Sequence, residues 1–492
     1  MIDYKKIELK CGLEVHQQLD TKHKLFCNCS TEMKEKNPLM LIERKQHPVQ
    51  SELGEVDVAA QYEYLRDRTF CYQVFKKEDC LIECDEEPIK PVNQEALEIA
   101  LQIALLLNCR VPDEIHVMRK TVIDGSNTSA FQRTMIIGLN GFLEYKGKKI
   151  EIRQVSLEED AAAIIEEKNG RVTYRLNRLG IPLVEISTGL LIGYSPREVQ
   201  EIAKLIGLIC RSVKKVKRGI GTIRQDINVS IKRGARTEIK GVQELSLLSK
   251  VIELEVKRQL DLIKNKKKVK EETRVALPDG RTKFIRPLPG AARLYPETDI
   301  PPVLIKKEFL ERIKENLPEA LTKKLERLKK NFKLSEELAD QMIISEYLEL
   351  FEKIIKKFKV TPSVVAHTFV SALKDLKRRE GIEVEKLREK DFEELFSLLE
   401  KGKLMKESIP EILKYRVKHP DVPMLEGIKK LGLEAISKED LLKIVREIIE
   451  KNKGKSEGKI IGLVMSRVRG RVKSEDVVKI VKRELNNYSL SK

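Results

Sequence analysis

The chain has 492 residues, 41% hydrophobic and 35% charged, with a formal net charge of +18. That length exceeds what one hydrophobic core usually serves, so two to four domains are expected, and the composition excludes broad disorder. No apolar run approaches the ~18 residues a bilayer span needs, and the eight scattered cysteines fit reduced thiols better than a disulfide framework.

Residues 1–300 read as strand-rich. Residues 1–6 lead straight into a strand pattern with no signal-peptide apolar stretch, which predicts a cytoplasmic protein. In Gly12-Leu13-Glu14-Val15-His16 the apolar pair alternates with Glu14 and His16, so a strand sets a carboxylate and an imidazole on one face. Oxygen and nitrogen donors at that spacing suit a hard divalent cation such as Mg²⁺ or Mn²⁺. A half-exposed strand with a solvated Glu is the plainer alternative. Helices are expected over 95–107 behind an Asn93 cap, after Ser195-Pro196, and over about 242–265.

Residues 117–134 contain two adjacent cations, Arg119 and Lys120, ahead of a turn with Gly125, Ser126, Asn127 and Thr128. Such a turn frees backbone N–H groups to wrap a phosphate that the cations neutralise. It is not a Walker A loop, and an ordinary polar turn has the same composition. Leu157-Glu158-Glu159-Asp160-Ala161 puts three carboxylates in succession, a candidate cation site or simply solvated acids. The sharpest alternation, 222–231, sets Arg224, Asp226, Asn228 and Ser230 on one face. A hairpin with 237–240 then brings Glu238 and Lys240 near Asp226 and Arg224. Cross-strand salt bridges account for such a face, and so does phosphoryl transfer, which needs carboxylates for a metal and cations for phosphate oxygens.

A Pro-rich segment, 286–302, closes the first domain, and the pattern beyond it is helical. Leu348, Phe351, Ile354, Ile355 and Phe358 recur by threes and fours. From about 435 a three-helix unit follows. Residues 451–492 hold 12 Lys/Arg against 4 Asp/Glu, and Arg467, Arg469, Arg471 and Lys473 cluster around a glycine between its last two helices. Such a cluster suits nucleic-acid phosphates, although basic residues also compensate a helix dipole.

These blocks, in order along nearly the whole chain, resemble the GatB/GatE family, and within it the archaeal E form (GatE) of the glutamyl-tRNA(Gln) amidotransferases. Lys24-Leu25-Phe26-Cys27-Asn28-Cys29, Asp85-Glu86-Glu87-Pro88 and residues 51–57, 178–186, 221–231 and 238–245 carry the likeness with the stretches above. The resemblance implies an α+β chain: a β-rich cradle domain (1–302), a helical domain (303–434) and a small basic YqeY-like helical tail (435–492) that binds tRNA. It implies an ATP-dependent carbon–nitrogen ligase with glutamine as amido donor. ATP phosphorylates the γ-carboxylate of Glu-tRNA(Gln), and ammonia displaces phosphate to give Gln-tRNA(Gln).

Carried over by position, Glu14, His16, Glu159, Asp226 and Glu238 would be the catalytic, Mg²⁺-facing set, with Glu158 and Glu185 as neighbours. Arg119, Lys120, Ser126, Asn127, Arg224 and Lys240 would face ATP phosphates or the activated glutamate. No amidase or asparaginase signature occurs, so ammonia is expected from the amidotransferase's D-type component, an asparaginase-like partner; no membrane or DNA partner is expected. Two alternatives remain: a non-catalytic tRNA-binding scaffold, and a B-type enzyme acting also on Asp-tRNA(Asn). The domain that E-type relatives usually insert near 263–273 is missing here. Some B-type relatives bind zinc through Cys-x-Cys and a later Cys-x-x-Cys; Cys27 and Cys29 are present, but the next cysteine, Cys71, supplies no second pair.

Overall fold

The computed structural model describes residues 2–50, 54–219, 221–290, 293–452, 454–468, 471–472 and 474–490, the stretch 487–490 in backbone only. Two compact units divide the chain, Met1–Thr322 and Lys323–Lys492.

The first unit is built on one large sheet. Its hydrogen-bonded path runs Thr282–Pro287, Glu272–Ala276, Thr237–Val242, Ile223–Ser230, Lys10–Gln18, Pro182–Thr188, Lys148–Glu159, Phe131–Tyr145, Val117–Thr121 and Leu294–Pro296. Ten strands at ~4.8 Å spacing would spread ~43 Å if flat. The two end strands, however, are joined through residues 288–293, a link that reaches about 25 Å at most when fully extended. The sheet therefore has to curl back on itself, and one face becomes the inside of a trough.

The other face carries the core. Leu13 and Val15 of the central strand are buried there with Ile227, Ile239, Val155, Leu157, Val184 and Ile186. Three helices, Gln94–Leu106, Pro196–Ser212 and Leu248–Lys264, cover that face with their apolar sides. Each start has a local cause. Asn93 accepts from the N–H groups of Glu95 and Ala96, and Ser195 and Glu198 form a reciprocal capping box before Pro196. The third helix begins later than the sequence suggests, because Thr237–Val242 is still a strand and Leu245–Leu247 is a 3-10 turn. Residues 265–271 alone link this helix to the strand Glu272–Ala276. Residues 303–322, read from sequence as the start of the helical domain, pack on this first core through Ile305, Phe309, Leu310, Ile313 and Leu317.

A smaller sheet, ordered Met40–Arg44, Thr69–Val74, Arg171–Arg175 and Ala163–Lys168, has its own core of Phe70, Tyr72, Val172, Tyr174 and Leu176. The second unit is helical. Leu348–Lys357 buries Leu348, Phe351 and Ile354, as its spacing requires. The tail helices Lys438–Lys451, Glu457–Val468 and Ser474–Leu490 enclose a separate core of Leu441, Val445, Ile460, Val464, Val477 and Val481. The fold is α+β.

Candidate active site

Period-two alternation decides which charges enter the trough. In the central strand Glu14 lies opposite Asp226 and Ser187, and His16 lies opposite Arg224 and Glu185. Working outward on one side, Glu185 is beside Ser156, Glu158 beside Thr134, and Gln132 beside Lys120. On the other side, Glu238 is beside both Asn228 and Thr273, and Thr273 beside Arg286. The register thus draws a continuous polar stripe across the curled sheet, and it lines a cavity of about 580 Å³.

Two donor groups stand within that stripe. Glu14, Asp226 and Glu238 offer carboxylate oxygens within 4.8 Å of one another, and His16, Glu158 and Glu185 do the same with one imidazole nitrogen. Cations alternate with them. Lys240 lies 3.0 Å from Glu238 and 3.6 Å from Asp226, and Lys120 lies 2.8 Å from Glu158 and 4.0 Å from Glu185. The carboxylates are also fixed by neutral donors: Gly241 N–H to Asp226 (2.8 Å), Thr273 hydroxyl to Glu238 (3.1 Å), Asn228 amide to Glu14 (3.2 Å) and Gln132 amide to Glu158 (3.1 Å).

Burial, reinforced by the charges of Glu185 and Glu238, pushes the Glu14 carboxyl up to about 7. Glu238 is also buried, but Lys240 holds it below the usual carboxylate range. Burial likewise opposes charge on Glu185; Lys120 and its hydrogen bond with His16 Nε2 (3.2 Å) win, and it too is lowered. His16 is raised in turn, against its burial, by the same partner. Carboxylates that raise one another's pKa are what a divalent cation relieves, because it replaces mutual repulsion with shared attraction. Three lining residues, His16, Asn127 and Arg286, each carry a buried nitrogen with no hydrogen-bond partner among the described residues (Nδ1, Nδ2 and Nε). Buried polar groups are rarely left so, and these are free for a ligand.

The turn over 124–128 forms one wall. Asp124 pairs with Arg286 at 3.2 Å, and Ser126 and Asn127 line the cavity. The small sheet and the stretch after its first strand hold this turn from behind: Tyr174 donates to the Asp124 carbonyl (2.7 Å), Tyr72 to the Gly125 carbonyl (2.8 Å), and Gln46 accepts from Gly125 N–H (3.1 Å) and donates to the Asn127 carbonyl (2.5 Å).

Of the residues expected from sequence, Glu14, His16, Asp226, Glu238, Lys120, Ser126, Asn127, Arg224 and Lys240 line this cavity, and Glu158 and Glu185 join them. Glu159 and Arg119 do not, which corrects the expected set. Each is one residue along its strand from a cavity-facing neighbour, so each points to the helix side. There Glu159 accepts from Arg133 N–H (3.2 Å), and Arg119 and Arg133 both bind Glu297, with Phe131 against the guanidinium groups. Asp124, Arg286 and Arg293 line the cavity without having been singled out in the sequence. Nothing local marks Arg286; only the register through Thr273 brings it beside Glu238.

In the second unit, Arg467 lies 3.4 Å from Glu447, and Arg471 bonds the Glu434 carbonyl (3.0 Å). Arg469 and Lys473, expected to share their role, lie outside the described residues.

A family model described as the GatB/GatE catalytic domain matches residues 9–311, and one described as a GatB domain matches residues 349–485. The chain is 40% identical to the E subunit of the glutamyl-tRNA(Gln) amidotransferase of Methanocaldococcus jannaschii, covering 98% of this chain and 99% of the relative. It is 36% identical to that of Aeropyrum pernix (98% and 98%) and 37% to that of Methanococcus vannielii (95% and 96%). The first alignment runs over 627 positions, more than the 492 residues of this chain, so that relative carries segments this chain lacks.

Proposed function

Because the chain belongs to the GatB/GatE family, we propose that it is the tRNA-dependent amidotransferase component that converts Glu-tRNA(Gln) to Gln-tRNA(Gln), an ATP-dependent carbon–nitrogen ligase. The observation that carries this reading is the stripe of Glu14, His16, Glu158, Glu185, Asp226 and Glu238, interleaved with Lys120, Arg224 and Lys240, in one cavity. Activating a carboxylate with ATP brings two anions together, so the site needs both a divalent cation and fixed positive groups.

Glu14, Asp226 and Glu238 would hold one Mg²⁺, and His16, Glu158 and Glu185 offer a second donor group. Magnesium bound there supplies charge neutralisation between ATP and the γ-carboxylate. Lys120, Lys240, Arg224 and Arg286 bind and orient phosphate oxygens. The turn over 124–128 adds the Asn127 amide donor and closes one wall, which limits water at the acyl phosphate while ammonia attacks. Ammonia comes from an asparaginase-like amidase partner, the D-type component, in the cytoplasm, and Arg467 and Arg471 in the basic tail contact tRNA phosphates.

A scaffold without chemistry has no use for so many carboxylates in a shared cavity, where each loses solvation. The decisive assay supplies this chain alone with Glu-tRNA(Gln), ATP, Mg²⁺ and ammonium. Gln-tRNA(Gln) forms, and it does not form when ATP is omitted or when glutamine replaces ammonium. Binding of tRNA without any turnover would instead favour the scaffold. Comparable turnover of Asp-tRNA(Asn) would favour the dual-substrate reading.

A further inference from the structure

We propose that the lysines of the short linker after the helix Leu248–Lys264 grip the phosphate backbone of tRNA beside the mouth of the cavity; that the polyanion is tRNA rests on the function proposed above. Residues 265–271 hold four lysines, Lys266, Lys267, Lys268 and Lys270, against one acid, Glu271, and Lys264 ends the helix before them. All five lysines are exposed, and none has an ion pair among the described residues. Surface lysines on other helices do have one, as Lys314 with Glu311, Lys377 with Glu385 and Lys451 with Glu447. Like charges crowded this closely repel one another, and a bound polyanion turns that cost into attraction. Compensation of the helix dipole ends within the last turn, so it does not account for Lys267, Lys268 and Lys270.

The backbone that displays these charges is held at both ends. Lys266 N–H bonds the Ile263 carbonyl (3.0 Å) and Lys267 N–H the Leu262 carbonyl (2.9 Å), with Lys266 in the left-handed region at a φ of +55°. Val269 is buried and pins the far side, so binding orders side chains but not the loop itself. The linker leads into Glu272, which pairs with Thr237 and Pro287 and whose N–H points at the Arg236 carbonyl (3.4 Å). Arg236, Leu288 and Pro289 line the cavity, and Arg236 is also exposed, which places this edge at the cavity mouth. Lys270 stands two residues before Glu272, a span of ~7 Å at most. Ammonium groups on flexible stems meet phosphates as point charges, and the linker has no aromatic or Arg side chain to read a base, so the contact is to backbone. Its one apolar residue, Val269, faces inward, which leaves nothing to insert into a lipid surface. An aminoacyl end that enters the cavity leaves its own phosphates at the mouth, where these lysines are.

The test is filter binding of unacylated tRNA(Gln) to the full chain over a salt series, for the wild type and for Lys266→Gln, Lys267→Gln, Lys268→Gln and Lys270→Gln combined. In the combined variant, with its urea midpoint unchanged, affinity is expected to fall at least about tenfold near 0.1 M salt, and the slope of log affinity against log salt to drop by about two to three. The same four positions changed to Arg keep both. So does a control of equal charge loss, Lys36→Gln, Lys76→Gln, Lys77→Gln and Lys168→Gln, at exposed lysines elsewhere in the first unit. Mass spectrometry after brief acetylation is expected to show the linker lysines shielded when tRNA is bound. Unchanged affinity and slope in the Gln variant overturn the proposal and leave the lysines to an acidic protein partner. An equal loss in the control, or acetylation indifferent to tRNA, overturns it too. None of these readouts needs turnover, so a chain that binds tRNA through these lysines yet makes no Gln-tRNA(Gln) contradicts the proposed reaction alone.

Discussion

Glu158 faces the cavity with Lys120 at 2.8 Å, and Glu159 faces the core side, where Arg133 holds it. Single substitutions separate their roles. Glu158→Gln keeps the fold and loses transamidation by about a hundredfold or more, since it removes a charge needed as the acyl phosphate forms. Glu159→Gln leaves divalent binding intact and lowers stability by about 1–3 kcal/mol, the range for disturbing a buried hydrogen-bonded charge. Isothermal titration with Mg²⁺ and urea unfolding of both variants check this. Glu297 gives the pH counterpart. Burial opposes its charge, but Arg119, the Asp299 N–H and Arg133 hold its carboxyl at about 2. A carboxyl depressed on folding adds stability above its unfolded value of ~4.3, and that stability disappears as pH falls toward the folded value. Wild-type urea midpoints therefore decline between about pH 4.3 and 2, whereas Glu297→Gln is less stable at neutral pH and declines less steeply over that window.

At the scale of elements, the turn over 124–128 depends on Gly125. Its φ of +87° lies in the left-handed region, and a Cβ there would run into the Phe70 ring. Gly125→Ala is expected to raise the KM for ATP at least about tenfold and to cost more than ~1 kcal/mol. Adding Phe70→Ala restores space but not the backbone conformation, so rescue is partial; steady-state kinetics on the wild type and these two variants read this directly. The same turn shows what the sequence could reveal. Its polar residues and adjacent cations were visible, because composition and period-two alternation are local. The tyrosine and glutamine bracket behind it was not, because Tyr72 and Tyr174 reach it from a second sheet assembled from distant segments and Gln46 from the stretch just after that sheet's Met40–Arg44 strand. Glu14 with His16, and Asp226 with Glu238, were legible for the same local reason. The inclusion of Glu159 and Arg119 failed by one residue, since a motif names a strand but not the face it turns inward. Arg286 needed the register of two further strand pairs, Glu238 with Thr273 and Thr273 with Arg286.

Across the whole molecule, the chain falls into two compact units. The curled sheet of the first unit gathers the acids and cations, and the second unit ends in a helical tail with its own core. Arg467→Ala with Arg471→Ala should weaken tRNA binding and reduce the slope of log affinity against log salt by about two, with the KM for ATP unchanged. Filter binding across a salt series measures it. No helix among the described residues is long and apolar enough to cross a membrane. On the proposed function, Glu14, His16, Glu158, Glu185, Asp226 and Glu238 act together on one reaction centre. Phosphate release from ATP that depends on Glu-tRNA(Gln) probes this, in the wild-type chain and in Asp226→Ala with Glu238→Ala. The double variant, still folded and still binding tRNA, is expected to lose this release to background; undiminished release would show that these carboxylates do not serve the reaction.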